Sequence, residues 1–315
     1  MLDGEAFIPS DVTLDNLSAL AREGATVAER RACEISELAD SALSFSQELY
    51  ASGIGINEIL SLLSDGLSTG AGESEENDTL ALGRAYPAFL ASSDRAEFSR
   101  LYARRLRAAG VTVNEASLLA ETVGEESITY VKNALADEAY DVFSQELSDP
   151  RVSYSKSFKD AADAVVRGEV TYCLLPLEET GGARLSTVSE IIYRRDLKIN
   201  AVTPVFGFDG NADVKYALLS EHFSVPELLA DDDGYLEIRV RDGAQTSLSE
   251  ILSVADYYGI SVYRVSTERF DTEGEIETFY NLVFKRAGGG FSELLVYLTL
   301  FSSAFLPVGM YKNLE

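Results

Sequence analysis

Between Leu14 and Tyr50 apolar side chains return every three or four positions: Leu14, Leu17, Leu20, Val27, Ile35, Leu38, Ala42, Phe45 and Leu49. Such spacing predicts one long amphipathic helix, weakened at Gly24 by about 1 kcal/mol relative to alanine. A shorter helix is expected over 57–63. The stretch DGLSTGAGESEENDT (65–79) is polar, acidic and glycine-rich, which reads as a linker. Helical spacing returns over 97–109, where Phe98, Leu101, Tyr102 and Leu106 share a side and Gly110 ends the run. Arg100, Arg104, Arg105 and Arg107 surround that side. They are expected to form a solvated or interdomain face, paired with the acidic linker or an acidic neighbour.

Past residue 125 the period shortens. Strands are expected over 127–131, 151–155 and 171–177, alternating with helices over 135–145, 158–167 and 186–194. Alternation of this kind predicts a mostly parallel sheet with helices on its faces. Two apolar runs then follow, INAVTPVFGF and VKYALLS, separated only by DGNAD, which predicts a hairpin. Beyond the acidic spacer Asp231-Asp232-Asp233-Gly234 the pattern reads strand, helix, strand, strand, helix, strand. This βαββαβ order is the ferredoxin-like plan.

Charge narrows the range of partners. Of 315 residues, 52 are acidic and 26 basic, giving a formal net charge of −26. A surface this acidic repels phosphate backbones and anionic lipid, so neither nucleic acid nor a membrane is an expected partner. Cys33 and Cys173 lie far apart, and the single histidine, His222, has no triad-like or ligand-like neighbours in sequence. No metal and no cofactor is therefore expected, and His222 reads as a surface or structural residue. The longest apolar run, Leu294–Leu306, falls short of the ~20 residues needed to span a bilayer. The N-terminal MLDGEAFIPSD lacks the pattern of a secretory signal. A cytoplasmic location is the expectation.

The stretch SFKDAADAVVRGEVTYCLLPLEETGGARLSTVSEIIYRRDLKI (157–199) resembles the first lobe of the prephenate dehydratases. It does so without a gap, with Gly168-Glu169 and Leu175-Pro176-Leu177-Glu178 on the family's anchor positions. The final segment resembles the ACT domain that follows such enzymes. Gly243-Ala244 stands at the family's Gly-Ala-Leu, and Val308-Gly309-Met310-Tyr311 at its closing Leu-Gly-Ser-Tyr. Together these parts cover about residues 125–315. The fold class expected is α/β and α+β. It comprises a helical region (1–64), the linker (65–79), a second helical region (80–124), one periplasmic-binding-type lobe (125–230) and a ferredoxin-like ACT-type domain (231–315).

Carried over residue by residue, the resemblance points to Glu178, Glu179 and Thr180, where the family has Glu-Asn-Ser, and to Val214, Lys215 and Tyr216, where it has Thr-Arg-Phe. A carboxylate in place of the amide adds negative charge beside a dicarboxylate substrate, which costs about 1 kcal/mol even in high dielectric. Valine has the shape of threonine but no proton to donate. The family's glycine-rich entry is shortened here to Lys132-Asn133-Ala134-Leu135-Ala136. A whole second lobe is missing between Ile199 and Lys215, and one lobe cannot enclose a small substrate.

These departures imply a non-catalytic relative, an amino-acid-binding or regulatory module connected with phenylalanine and the other aromatic amino acids. In the ACT-like part the resemblance implies homodimerisation. It also implies an effector site at Asp242, Gly243, Ala244 and Gln245, with Thr267 and Glu268 on the segment that replaces the family's Glu-Ser-Arg-Pro. The alternatives are an active prephenate dehydratase, alone or with chorismate mutase activity, and a purely structural assembly protein. The N-terminal helices have the outline of a chorismate mutase domain. They carry no lysine before Lys132, however, and the long helix offers only Arg22, Arg30 and Arg31.

Overall fold

A computed structural model describes residues 11–68, 91–120, 126–179, 182–206, 212–224, 234–244, 246–272, 274–285, 290–302 and 305–314. The predicted long helix is α1 (Asp11–Ala51), followed by α2 (Ile56–Ser68), α3 (Ser92–Ala108) and the short α4 (Glu115–Leu119). Helix α2 continues into the first residues of the expected linker; 69–79 lie outside the described residues. Gly110, at φ +84°, follows α3, a conformation that glycine adopts without steric cost.

The alternating region gives β1 (Ser127–Tyr130), α5 (Ala134–Gln145), β2 (Arg151–Tyr154), α6 (Phe158–Val166), β3 (Tyr172–Glu179) and α7 (Ser186–Arg194). Asn133 and Ser157 cap α5 and α6 through their side chains. The hairpin is β4 (Lys198–Phe206) and β5 (Ala212–Ser220), antiparallel from Lys198↔Ser220 to Phe206↔Ala212. The C-terminal unit is β6 (Tyr235–Arg241), α8 (Leu248–Tyr257), β7 (Ser261–Thr272), β8 (Glu275–Lys285), α9 (Phe291–Phe301) and β9 (Phe305–Tyr311).

Among the described residues, all nine strands belong to one sheet of order β2-β1-β3-β5-β4-β9-β6-β8-β7. The strands of the alternating region, β1, β2 and β3, run parallel as expected, and the sheet as a whole is mixed. Only β1 with β2, β1 with β3, and β4 with β9 run parallel; the other neighbours are antiparallel. The reason is the hairpin. Strand β5 turns straight back and inserts between β3 and β4, where a helical crossover would have kept the direction.

Strands β4 and β9 join the two halves of the sheet. Ile199 pairs with Gly309, the Val202 amide donates to the Lys312 carbonyl at 3.2 Å, and the Leu314 amide to the Val202 carbonyl at 2.8 Å. A Cβ on Gly309 would stand 2.7 Å from the Tyr311 ring and 3.2 Å from Ile199 Cβ, so close approach at this seam depends on glycine.

Alternation along β6 and β8 sends Leu236, Ile238, Val240, Leu282 and Phe284 to one side. There they share a core with α8 and α9 and with Ile35, Ala39, Ile59, Leu60, Phe98, Tyr102 and Leu106 of the N-terminal helices. Of Arg100, Arg104, Arg105 and Arg107, the last two reach into this junction, whereas Arg104 is exposed and Arg100 pairs with Glu97 of its own helix. Arg107 pairs with Glu293 at 2.7 Å, Arg95 with Glu250 at 3.3 Å and Arg105 with Asp40 at 3.1 Å. Residues 19–34 of α1, including Arg22, Arg30 and Arg31, are exposed. Helices α6 and α7 pack on one face of the lobe strands, and α5 on the other. Among the described residues no helix is long and apolar enough to cross a membrane.

Candidate functional site

The register of β3 and β5 sets most of the positions picked out in the sequence on neighbouring rungs, with Lys215 on one face of β5 and Val214 and Tyr216 on the other. Glu178 pairs with Lys215, Glu179 with Val214, and Pro176 with Tyr216. Thr180 lies outside the described residues. The place is the carboxyl end of β3, where open α/β sheets put their ligand crevices. Burial raises the Tyr216 hydroxyl pKa, and a hydrogen bond with Asn133 opposes that rise.

What faces Glu178 is a surprise. Its Oε2 lies 3.5 Å from Lys215 Nζ, and its Oε1 lies 2.6 Å from Arg264 Nη1 of β7. In the order of the sheet β7 is six steps from β3, about 29 Å if the strands lay flat at ~4.8 Å spacing. The sheet therefore curls, and its C-terminal half folds back over the lobe. Helix α7 fills the curl. Val188 and Ile192 face the lobe core, whereas Ser189 and Tyr193 meet the strands of the C-terminal unit. Tyr193 stacks on Phe270 at 4.1 Å between ring centres and hydrogen-bonds Glu277.

Inside the curl is a cluster of buried charge. Glu237, with 0% exposure, takes two hydrogen bonds from Arg184, one from Asn281 at 3.0 Å and one from the Tyr311 hydroxyl at 3.2 Å. Burial alone would raise the Glu237 carboxyl pKa. The charge and hydrogen bonds of Arg184, helped by Arg239 and Asn281, overcome this and hold it at about 2. Tyr311 is pushed well up by burial and by the Glu237 charge beside it. Arg239 Nε donates to Glu268 at 2.7 Å, and Ser189 Oγ donates to the other Glu268 oxygen at 3.1 Å. Four cations thus meet three carboxylates. Arg184 Nε, Arg264 Nε, Arg239 Nη2 and Asn281 Oδ1 make no hydrogen bond.

The space left beside Glu178, Lys215 and Arg264 is about 20 Å³, closed in by Tyr235, Tyr263, Tyr311 and Asn313. Such a volume holds a water molecule; small-molecule sites occupy roughly 300–1,000 Å³. Residues 207–211, which connect β4 to β5, are all that stands where a second lobe would be inserted.

The residues expected to hold an effector do not converge. Asp242 and Gly243 sit in an exposed turn after β6, with Tyr280 donating to Asp242 at 3.2 Å; Gln245 lies outside the described residues. Thr267 is exposed, whereas Glu268, its neighbour on β7, points into the curl and is tied to Arg239 and Ser189. The capping Ser247 already satisfies the Glu250 amide at the start of α8. His222 is half exposed, 4.0 Å from Glu221, in keeping with its reading as a surface residue. Among the described residues no group of three or more potential ligands is arranged to hold a metal.

Sequence reasoning passed over Arg184, Glu237, Arg239 and Arg264. The polar positions of YLEIRV alternate with apolar ones, as in any strand with one face in water. Nothing local to β6 says that α7 covers that face.

No family model and no curated protein matches this chain. Solved structures do. The prephenate dehydratase from Streptococcus mutans is similar over 60% of this chain and 98% of its own, at 15% identity and a TM-score of 0.45. A prephenate dehydratase from Arthrobacter aurescens, solved in complex with L-Phe, is similar over 59% of this chain and 90% of its own, at 14% identity and a TM-score of 0.44. GqqA, described as a novel type of quorum quenching acylase, is similar over 60% of this chain and 96% of its own, at 18% identity and a TM-score of 0.44.

Proposed function

We propose that this chain is a non-catalytic relative of the prephenate dehydratases that acts as a regulatory, amino-acid-binding module, with an ACT-type C-terminal unit that pairs two copies. The motif resemblance over 157–199 and 231–315 supplies the family. One observation carries the loss of catalysis: the carboxyl end of β3 is occupied by the chain itself. Glu178 is held by Lys215 and Arg264, and the residual space is water-sized. A dehydratase must surround a dicarboxylate, neutralise it and protonate a departing hydroxyl. Here the counter-charges are already consumed by Glu178, and Val214 stands where the proton donor would be.

The test is a thermal-shift panel on the purified protein with phenylalanine, tyrosine, tryptophan, prephenate and chorismate. A ligand that binds only the folded state must raise the melting temperature. A rise with an amino acid and none with prephenate is the expected result. A saturable rise with prephenate would overturn the reading.

A further inference from the structure

A second and much larger cavity, of about 430 Å³, opens where α7 meets the C-terminal unit. Leu306, Pro307 and Val308 of β9 and Arg239 of β6 contribute to its lining, together with Arg194 and Asp196 at the end of α7. Its volume lies in the range of small-molecule sites. Leu306 is 40% exposed, and Arg194 and Asp196 are exposed as well, so solvent reaches the cavity.

Arg239 is the unusual member of this lining. Its side chain is only 3% exposed. Nε is committed to Glu268, and the guanidinium lies 5.2 Å from the Phe270 ring centre and 5.9 Å from that of Tyr193. Nη2 is buried and has no acceptor. A buried guanidinium donor left unmatched is costly, and it is satisfied best by a carboxylate, whose two oxygens match the arginine fork. The cluster behind it carries one more cation than carboxylates. Arg194 on the same wall is already engaged by Glu190 at 2.8 Å and the Asp271 carbonyl at 2.6 Å, which leaves Arg239 as the arginine of the lining with an unmet donor. Asp196, the carboxylate of the lining, is engaged by Lys198, so the unmet donor of Arg239 is the polar feature of this wall.

We infer that this cavity binds a small carboxylate with an apolar side chain, the carboxylate on Arg239 and the apolar body against Leu306, Pro307 and Val308. A free amino acid and the matching 2-oxo acid share this chemistry. The inference deepens the regulatory reading and rests on it. It moves the ligand away from the turn at Asp242–Ala244 to the seam between the lobe and the C-terminal unit. Occupancy would bridge α7 with β6 and β9, giving the ligand a hold on how tightly the curl is closed.

The experiment is calorimetric titration of the full chain with leucine, phenylalanine and tyrosine and with their 2-oxo acids, repeated on variants. At least one compound is expected to bind saturably. Arg239→Lys, which keeps the charge but loses the fork, should weaken it about 10-fold, and Arg239→Gln about 100-fold. Because Arg239→Gln strands Glu268, it is paired with Glu268→Gln to preserve folding. Leu306→Trp fills the cavity from its exposed side and should abolish binding with the melting temperature unchanged. No binding by any compound at 10 mM, or unchanged affinity in Arg239→Lys and Leu306→Trp, would overturn the inference. The two proposals fail separately. Binding or turnover of prephenate bears on the loss of catalysis, whereas silence here with an inert response to prephenate removes this cavity alone.

Discussion

Replacing Arg184 by methionine removes the guanidinium that holds Glu237 while keeping a long, unbranched side chain in its place. Glu237 is fully buried, and its carboxyl is held at about 2 against an ordinary 4.5. A folded-state value below the unfolded one means stability that is complete above about 4.5 and lost as the pH falls through about 2. That difference corresponds to about 3 kcal/mol at neutral pH. Breaking one side of a buried pair costs about 3–5 kcal/mol by a separate route, because the remaining charge is left uncompensated. Arg239, Asn281 and Tyr311 stay to soften the loss, so the lower end applies. At pH 7 the variant should unfold about 5 °C lower than the parent.

The assay is thermal unfolding of parent, Arg184→Met and the double variant Arg184→Met/Glu237→Gln at pH 7 and at pH 3. The single variant should lose most at pH 7 and approach the parent at pH 3, where the parent's own advantage is fading. The double variant should regain part of the loss, since it no longer buries a lone carboxylate. A loss at pH 7 smaller than about 1 kcal/mol, equal at both pH values, would refute the reasoning, because the pair would then be no more than an exposed one.

Other consequences can be checked in the same preparations. Gly309→Ala should destabilise by about 1–3 kcal/mol in chemical denaturation, since the new Cβ meets the buried Tyr311 ring at the seam of the sheet. Cys173 is fully buried in β3 and its thiol pKa is pushed far up by burial, so a thiol reagent should reach it only after unfolding. Exposed Cys33 should react in the native protein, though slowly at neutral pH because the Glu37 carboxylate raises its pKa. Val214→Thr, which restores the family's hydroxyl, should confer no dehydration of prephenate, since Val214 packs toward α5 on the face of the sheet opposite Lys215.

Much of this architecture can be read from local pattern. The 3.6-residue spacing marks α1 and α3. The alternation past residue 125 marks α5 and α6, and the βαββαβ run gives the order of the C-terminal unit. The short connection between Ile199 and Lys215 foretells the hairpin, and through it the missing lobe. Pairings between distant segments are another matter. That β4 meets β9 depends on a contact near Ile199 and Gly309, more than a hundred residues apart, which no window of sequence contains. Glu178 and Lys215 can be picked out by motif, but their third partner, Arg264, arrives only because the sheet curls around α7. The charges on β6 look like a solvated face until α7 is laid across them, so Glu237 and Arg239 carry no local signal of burial. Asp242 and Glu268 look like one site by family position, yet the strand alternation that exposes Thr267 turns Glu268 inward.

The central proposal is that the end of β3 carries no dehydratase reaction because the C-terminal unit fills the crevice there. The most direct measurement is phenylpyruvate formation from prephenate by the purified full chain at high enzyme concentration, with Arg264→Ala alongside. No product above the uncatalysed background from either protein is the predicted result. Phenylpyruvate formed in proportion to enzyme, and abolished by Val214→Lys, would contradict it and place active chemistry at the end of β3.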